Sequence, residues 1–71
     1  MKHERIEFNP AVMLGKPVVR GTRLTVEHIV GELDAGMPVS EILQAHPRLS
    51  AADVEAARAF AEKYMTRAAA Q

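Results

Sequence analysis

The sequence predicts a mainly α fold, a three-helix bundle of helix-turn-helix type that follows a short N-terminal β hairpin or arm. Apolar residues recur at helical spacing after residue 25, and Pro and Gly divide that region into short segments. Residues 1–24 instead show short β-forming segments without a helical period. At 71 residues, 1–71 is predicted to be one domain, with a β arm and basic loop at 1–24 and the bundle at 25–71.

The arm is predicted from two short apolar stretches, Ile6-Glu7-Phe8 and Val18-Val19. The turn formers Asn9-Pro10 and Gly15-Lys16-Pro17 separate them. Two such strands are marginally stable alone, so they must either lean on the helices or pair with a second chain.

The first helix is predicted to follow the N-cap Thr25 and to end near Ala35, because Gly36 is typical of a helix C′ position and Pro38 follows it. One face of this helix is apolar and consists of Val26, Ile29, Val30 and Leu33. The second helix is short, from Val39 or Ser40 to His46, and offers Ile42 and Leu43 to the core.

The third helix has the clearest start, with Ser50 as N-cap and Asp53 placed to complete a capping box. Its predicted core stripe is Val54, Ala57, Ala61, Met65 and Ala68, and Phe60 lies about a quarter turn away. The helix is expected to fray within residues 67–71.

Composition limits the function classes. Nine basic and nine acidic residues cancel, so a nucleic-acid contact requires a local basic patch. No cysteine is present and no apolar run approaches a membrane span, so a cytoplasmic protein without a membrane segment is expected. We expect no cofactor and no metal site, because His3, His28 and His46 have no partners at metal-ligand spacing. Without a nucleophile–base pair, we expect no enzyme activity.

The candidate DNA contacts come from two places. The segment from Gly15 to Thr25 is basic and contains no acidic residue, and its cations are Lys16, Arg20 and Arg23. The helix-turn-helix adds Arg48, Ser50 and Arg58, but the outward face of the third helix also carries Glu55 and Glu62, which phosphates would repel. Alternatively, Arg20 or Arg23 pins the arm to Glu27, Glu32 or Asp34 on the first helix.

A homodimer is predicted from apolar residues that a single copy does not obviously bury. The candidate interface consists of Ile6, Phe8, Phe60 and Tyr64. The alternative is that the arm folds back over Phe60 and Tyr64 within one chain.

The run from Gly15 to Val26, GKPVVRGTRLTV, closely resembles the DUF433 family, together with Gly36 and the turn from His46 to Leu49. The resemblance covers nearly the whole chain. It implies a VapB-type antitoxin of a type II toxin–antitoxin pair, with a PIN-like ribonuclease toxin as partner and operator DNA as a further partner. The alternative function is a protein-interaction adaptor that never touches DNA.

Overall fold

A computed structural model describes residues 4–65 and confirms a mainly helical domain with a small N-terminal sheet. The two strands are β1 (Ile6–Glu7) and β2 (Val18–Val19). The three helices are α1 (Val26–Asp34), α2 (Val39–Ala45) and α3 (Ala51–Tyr64). Within the described residues, no helix is long and apolar enough to cross a membrane.

The β arm is joined to the helical part through β2. β1 and β2 are antiparallel, with Ile6 opposite Val19. Val19 N–H donates to the Leu24 carbonyl at 3.0 Å, and Val26 N–H donates to the Pro17 carbonyl at 2.9 Å. β2 is therefore bonded to β1 and also to the chain around the start of α1, which attaches the two marginal strands to the bundle.

A tight 3-10 turn (Met13–Gly15) lies between the strands. Met13 and Leu14 both have left-handed backbone angles, with φ of +50° and +57°. Such angles are costly for residues with a side chain, at about 1–2 kcal/mol each. Two hydrogen bonds of 3.1 Å close the turn, from Gly15 N–H to the Val12 carbonyl and from Lys16 N–H to the Met13 carbonyl.

The helix ends follow the predicted capping residues. The Thr25 hydroxyl accepts the His28 N–H at 3.0 Å, and Gly36, with φ of +95°, follows α1. Ser50 and Asp53 form a complete capping box at the start of α3. α2 ends at Ala45, one residue before the predicted His46, which is its C-cap.

The core lies between the arm, α1 and α3, and α2 contributes Ile42 to it. Its buried apolar members are Ile6, Val18, Val19, Val26, Ile29, Val30, Ile42, Leu49, Val54, Ala57, Phe60 and Ala61. The predicted stripe on α3 is confirmed as far as Ala61, Met65 is half-buried at its end, and Ala68 lies outside the described residues. Leu33 is only partly buried, because it lies in the last turn of α1.

Candidate functional site

Two of the basic arm residues predicted to contact DNA form ion pairs. Lys16 Nζ lies 3.4 Å from Glu27 Oε1 on α1. Arg20 Nη1 lies 3.6 Å from Glu7 Oε1, and Arg20 Nε also donates to the Glu4 carbonyl. The alternative that Arg20 pins the arm to α1 is therefore wrong, because Arg20 pairs with Glu7 within the arm. The arm residue that forms an ion pair with α1 is Lys16.

Arg23 and Arg48 are the two arginines that share one surface. Arg23 is exposed, and its side chain makes no ion pair with any residue in 4–65. Arg48 Nη1 donates to the Gly21 carbonyl at 3.3 Å, which uses one of its five N–H groups. Both side chains line an open groove of about 570 Å³, beside the carboxylate-bearing Glu7. The same two arginines also line a second open groove, together with His46 and without an acidic residue, so this surface is a candidate for anion binding.

The candidate DNA contacts on α3 are already occupied by neighbouring groups. The Ser50 hydroxyl accepts the Asp53 N–H at 3.2 Å. Arg58 pairs with Glu55 and, through Nη1, with Glu62 Oε2 at 2.8 Å. Hydrogen bonding to Arg58 lowers the pKa of Glu55, and the bond to Glu55 raises the pKa of Arg58. Because two carboxylates flank one cation, this face of α3 is unsuited to phosphate.

The premise behind the predicted dimer interface is wrong for Ile6 and Phe60. These side chains are only 4% and 5% exposed, because the arm folds back over α3 within the chain. Phe8 lies against Phe60, with ring centroids 5.8 Å apart, and the Tyr64 ring lies 5.0 Å from the Phe60 ring. Phe8 and Tyr64 remain about half exposed and are the two members of that set still accessible to a partner.

The arm has a second anchor, at the N-terminus of α3, that the sequence analysis missed. Arg5 Nη1 lies 3.0 Å from Asp53 Oδ1. Burial raises the pKa of Asp53, but the hydrogen bonds from Ser50 and Arg5 outweigh it and hold that pKa below its usual range. No local pattern predicts this contact, because the two residues are 48 positions apart.

Two histidines that were expected to have no partners at metal-ligand spacing share one carboxylate. His28 and Glu32 stand one turn apart on α1, and His46 at the end of α2 meets them. Their ligand atoms all lie within 4.8 Å of one another. The i,i+4 spacing of His28 and Glu32 was the available signal in the sequence, and His46 joins only through the packing of α2 on α1.

Comparison with known proteins supports the family that the run from Gly15 to Val26 resembles. The family model described as "Protein of unknown function (DUF433)" matches residues 6–61, from β1 to α3. The chain belongs to the DUF433 family.

Two relatives place this DUF433 domain in longer chains. Uncharacterized protein y4eO of Sinorhizobium fredii is 37% identical over 59 residues, which are 83% of this chain and 27% of that protein. The crystal structure of a DUF433 member protein from Anabaena variabilis superposes with a TM-score of 0.80 at 33% identity, covering 84% of this chain and 59% of that one. The chain thus spans about a quarter of the first relative and under two thirds of the second.

Proposed function

We propose that this DUF433 protein is a non-enzymatic protein-binding module that acts as the antitoxin of a type II pair, with a PIN-like ribonuclease as its partner. The antitoxin role and the nature of the partner come from the family resemblance of the segment from Gly15 to Val26. The mode of binding comes from one structural observation, an exposed apolar loop formed by Phe8, Met13 and Leu14.

Leu14 is the residue that favours protein binding most strongly. It is 93% exposed, while Phe8 and Met13 nearby in the chain are 61% and 46% exposed. Burying a leucine side chain in an interface contributes about 1.5–3 kcal/mol. The left-handed turn presents Leu14 to solvent at a cost in backbone energy, and such turns are commonly found at binding sites.

Growth rescue tests this proposal. The product of the adjacent gene, expressed alone, is expected to arrest growth, and co-expression of this protein is expected to restore it. Leu14→Asp should abolish rescue while leaving the fold intact, because the side chain is exposed and Asp tolerates a left-handed backbone better than Leu.

Ala52→Asp is the matched control, since it places the same charge on an exposed site in the first turn of α3, where a carboxylate is favourable. Full rescue by Leu14→Asp would contradict the proposed surface. An adjacent gene that encodes no ribonuclease would contradict the proposed partner.

Arg23 and Arg48 support a second activity, contact with DNA phosphates during repression of the protein's own operon. They share one open groove, and Arg23 has no ion-pair partner within residues 4–65. In gel shifts with the upstream DNA, Arg23→Ala should lower the slope of log affinity against log salt by about one. Arg58→Ala should leave that slope unchanged, because two carboxylates already neutralise Arg58.

The gel shift also separates the two candidate functions. If the wild-type protein gives no shift even at low salt, the operator-binding activity is ruled out, and the protein acts through protein binding alone. An equal loss of affinity in Arg23→Ala and Arg58→Ala would contradict the role assigned to the groove.

A further inference from the structure

Three potential metal ligands meet where the last turn of α2 packs against α1. His28 Nε2 lies 3.3 Å from Glu32 Oε2, and His46 Nε2 lies 3.2 Å from Glu32 Oε1. The two imidazole rings are edge to face, with centroids 5.7 Å apart. Two imidazole nitrogens and one carboxylate, from α1 and from the C-cap of α2, therefore lie close together.

From this geometry we infer that His28, Glu32 and His46 bind a divalent transition-metal ion. Donor atoms held at about 2.0–2.2 Å from a tetrahedral zinc ion lie about 3.3–3.6 Å from one another. The His28–Glu32 and His46–Glu32 separations, 3.3 and 3.2 Å, are already close to that spacing. The His28 side chain is 54% exposed, so it can rotate to complete the set without disturbing the core.

The ligand chemistry selects the class of metal. Imidazole suits zinc, cobalt, nickel, copper and iron, whereas calcium and magnesium prefer all-oxygen sites. Two His and one Glu leave at least one coordination position for water or another ligand. An open groove of about 500 Å³ that includes His28 and Glu32 in its lining gives solvent access to that position.

Placement of the ligands predicts what the metal would do to the fold. Glu32 lies in the second half of α1 and His46 caps the C-terminus of α2. A bound ion would therefore link α1 to the C-terminus of α2, and it would stabilise the folded chain because the unfolded chain does not hold this arrangement. His46 also lines a groove with Arg23 and Arg48, but none of the three ligands is a residue on which the proposed function rests, so the metal site does not depend on that function.

Cobalt titration of the full chain, free of any histidine tag, tests the site. Co²⁺ is expected to produce visible absorption bands that saturate at one ion per chain, and Zn²⁺ is expected to displace it. His28→Ala, Glu32→Gln and His46→Ala should each weaken Co²⁺ binding by about 100-fold or more, since even groups behind the ligands contribute roughly 10–100-fold.

Two substitutions serve as controls. His3→Ala removes the remaining histidine, and Glu41→Gln removes an exposed carboxylate on α2, and neither should change the spectrum. Because His28 is exposed, His28→Ala should fold even if His46→Ala does not, and circular dichroism checks that it does. Absence of the cobalt bands in the folded wild-type chain, or bands that survive His28→Ala and Glu32→Gln, would overturn the assignment.

Discussion

Replacing Asp53 with alanine removes two interactions at once from the start of α3. Asp53 Oδ2 accepts the Ser50 N–H at 3.0 Å, which is one half of the capping box. Asp53 Oδ1 accepts from Arg5 Nη1, also at 3.0 Å, and so attaches the β arm to the helix. The Asp53 side chain is only 14% exposed, so water does not readily replace either partner.

The size of the effect follows from these two contacts. Loss of a capping hydrogen bond costs about 1 kcal/mol. The ion pair contributes about 0.5–1 kcal/mol, because Arg5 is 53% exposed and its charge is screened. Asp53→Ala should therefore cost about 1.5–2 kcal/mol, which in a domain of this size lowers the Tm by roughly 6–16 °C.

The effect also depends on pH. The pKa of Asp53 is lowered in the folded protein, since the hydrogen bonds to Ser50 and Arg5 outweigh the opposing effect of burial. The stabilisation is then fully present above the unfolded pKa, about 4, and is lost as the pH falls through the lower folded value. The stability gap between wild type and Asp53→Ala should narrow on acidification below about pH 4.

Urea unfolding followed by circular dichroism measures both effects, at about pH 7 and about pH 3. Arg5→Ala is the matched control, because it removes the ion pair and keeps the capping box, and it should cost about half as much or less. A wild-type midpoint in Asp53→Ala, or a gap equally large at both pH values, would refute the assignment of these contacts.

In the same urea assay, Ile42→Ala should lower the free energy of unfolding by about 3 kcal/mol, because Ile42 is fully buried. Leu33→Ala should lower it less, because Leu33 is only half-buried. Equal losses in the two variants would show that the core is assigned wrongly. The homodimer stays a prediction, and it now depends on the exposed rings of Phe8 and Tyr64. Sedimentation of the wild type should give a mass of twice 7.8 kDa, and Tyr64→Glu should reduce that mass to 7.8 kDa without loss of helicity. Phe60→Glu should instead unfold the chain, because Phe60 is 5% exposed. A wild-type mass of 7.8 kDa contradicts the dimer.

The fold was largely predictable because its determinants are local. Thr25, Gly36 and Ser50 begin or end helices through hydrogen bonds and backbone angles that involve neighbouring residues only. The apolar stripe of α3 follows from helical periodicity alone. These features need no knowledge of tertiary packing.

The candidate sites were less predictable, since they depend on contacts between distant parts of the chain. Phe60 was assigned to a dimer interface, and its burial beneath Phe8 of the folded-back arm is instead what the single-chain alternative predicted. His46 meets Glu32 across 14 residues because α2 packs on α1, and residue spacing does not report that packing. Arg58 is neutralised by Glu55 and Glu62 at helical spacing, a pairing that the sequence could have predicted.

The most direct test of the proposed function is a calorimetric titration of this protein with the product of the adjacent gene, which we propose to be a PIN-like ribonuclease. We expect saturable binding that Leu14→Asp weakens by about 10–100-fold, the equivalent of burying one leucine side chain. Ala52→Asp should bind as tightly as wild type. If Leu14→Asp also binds with wild-type affinity, the apolar loop is not the partner-binding surface and the central claim fails.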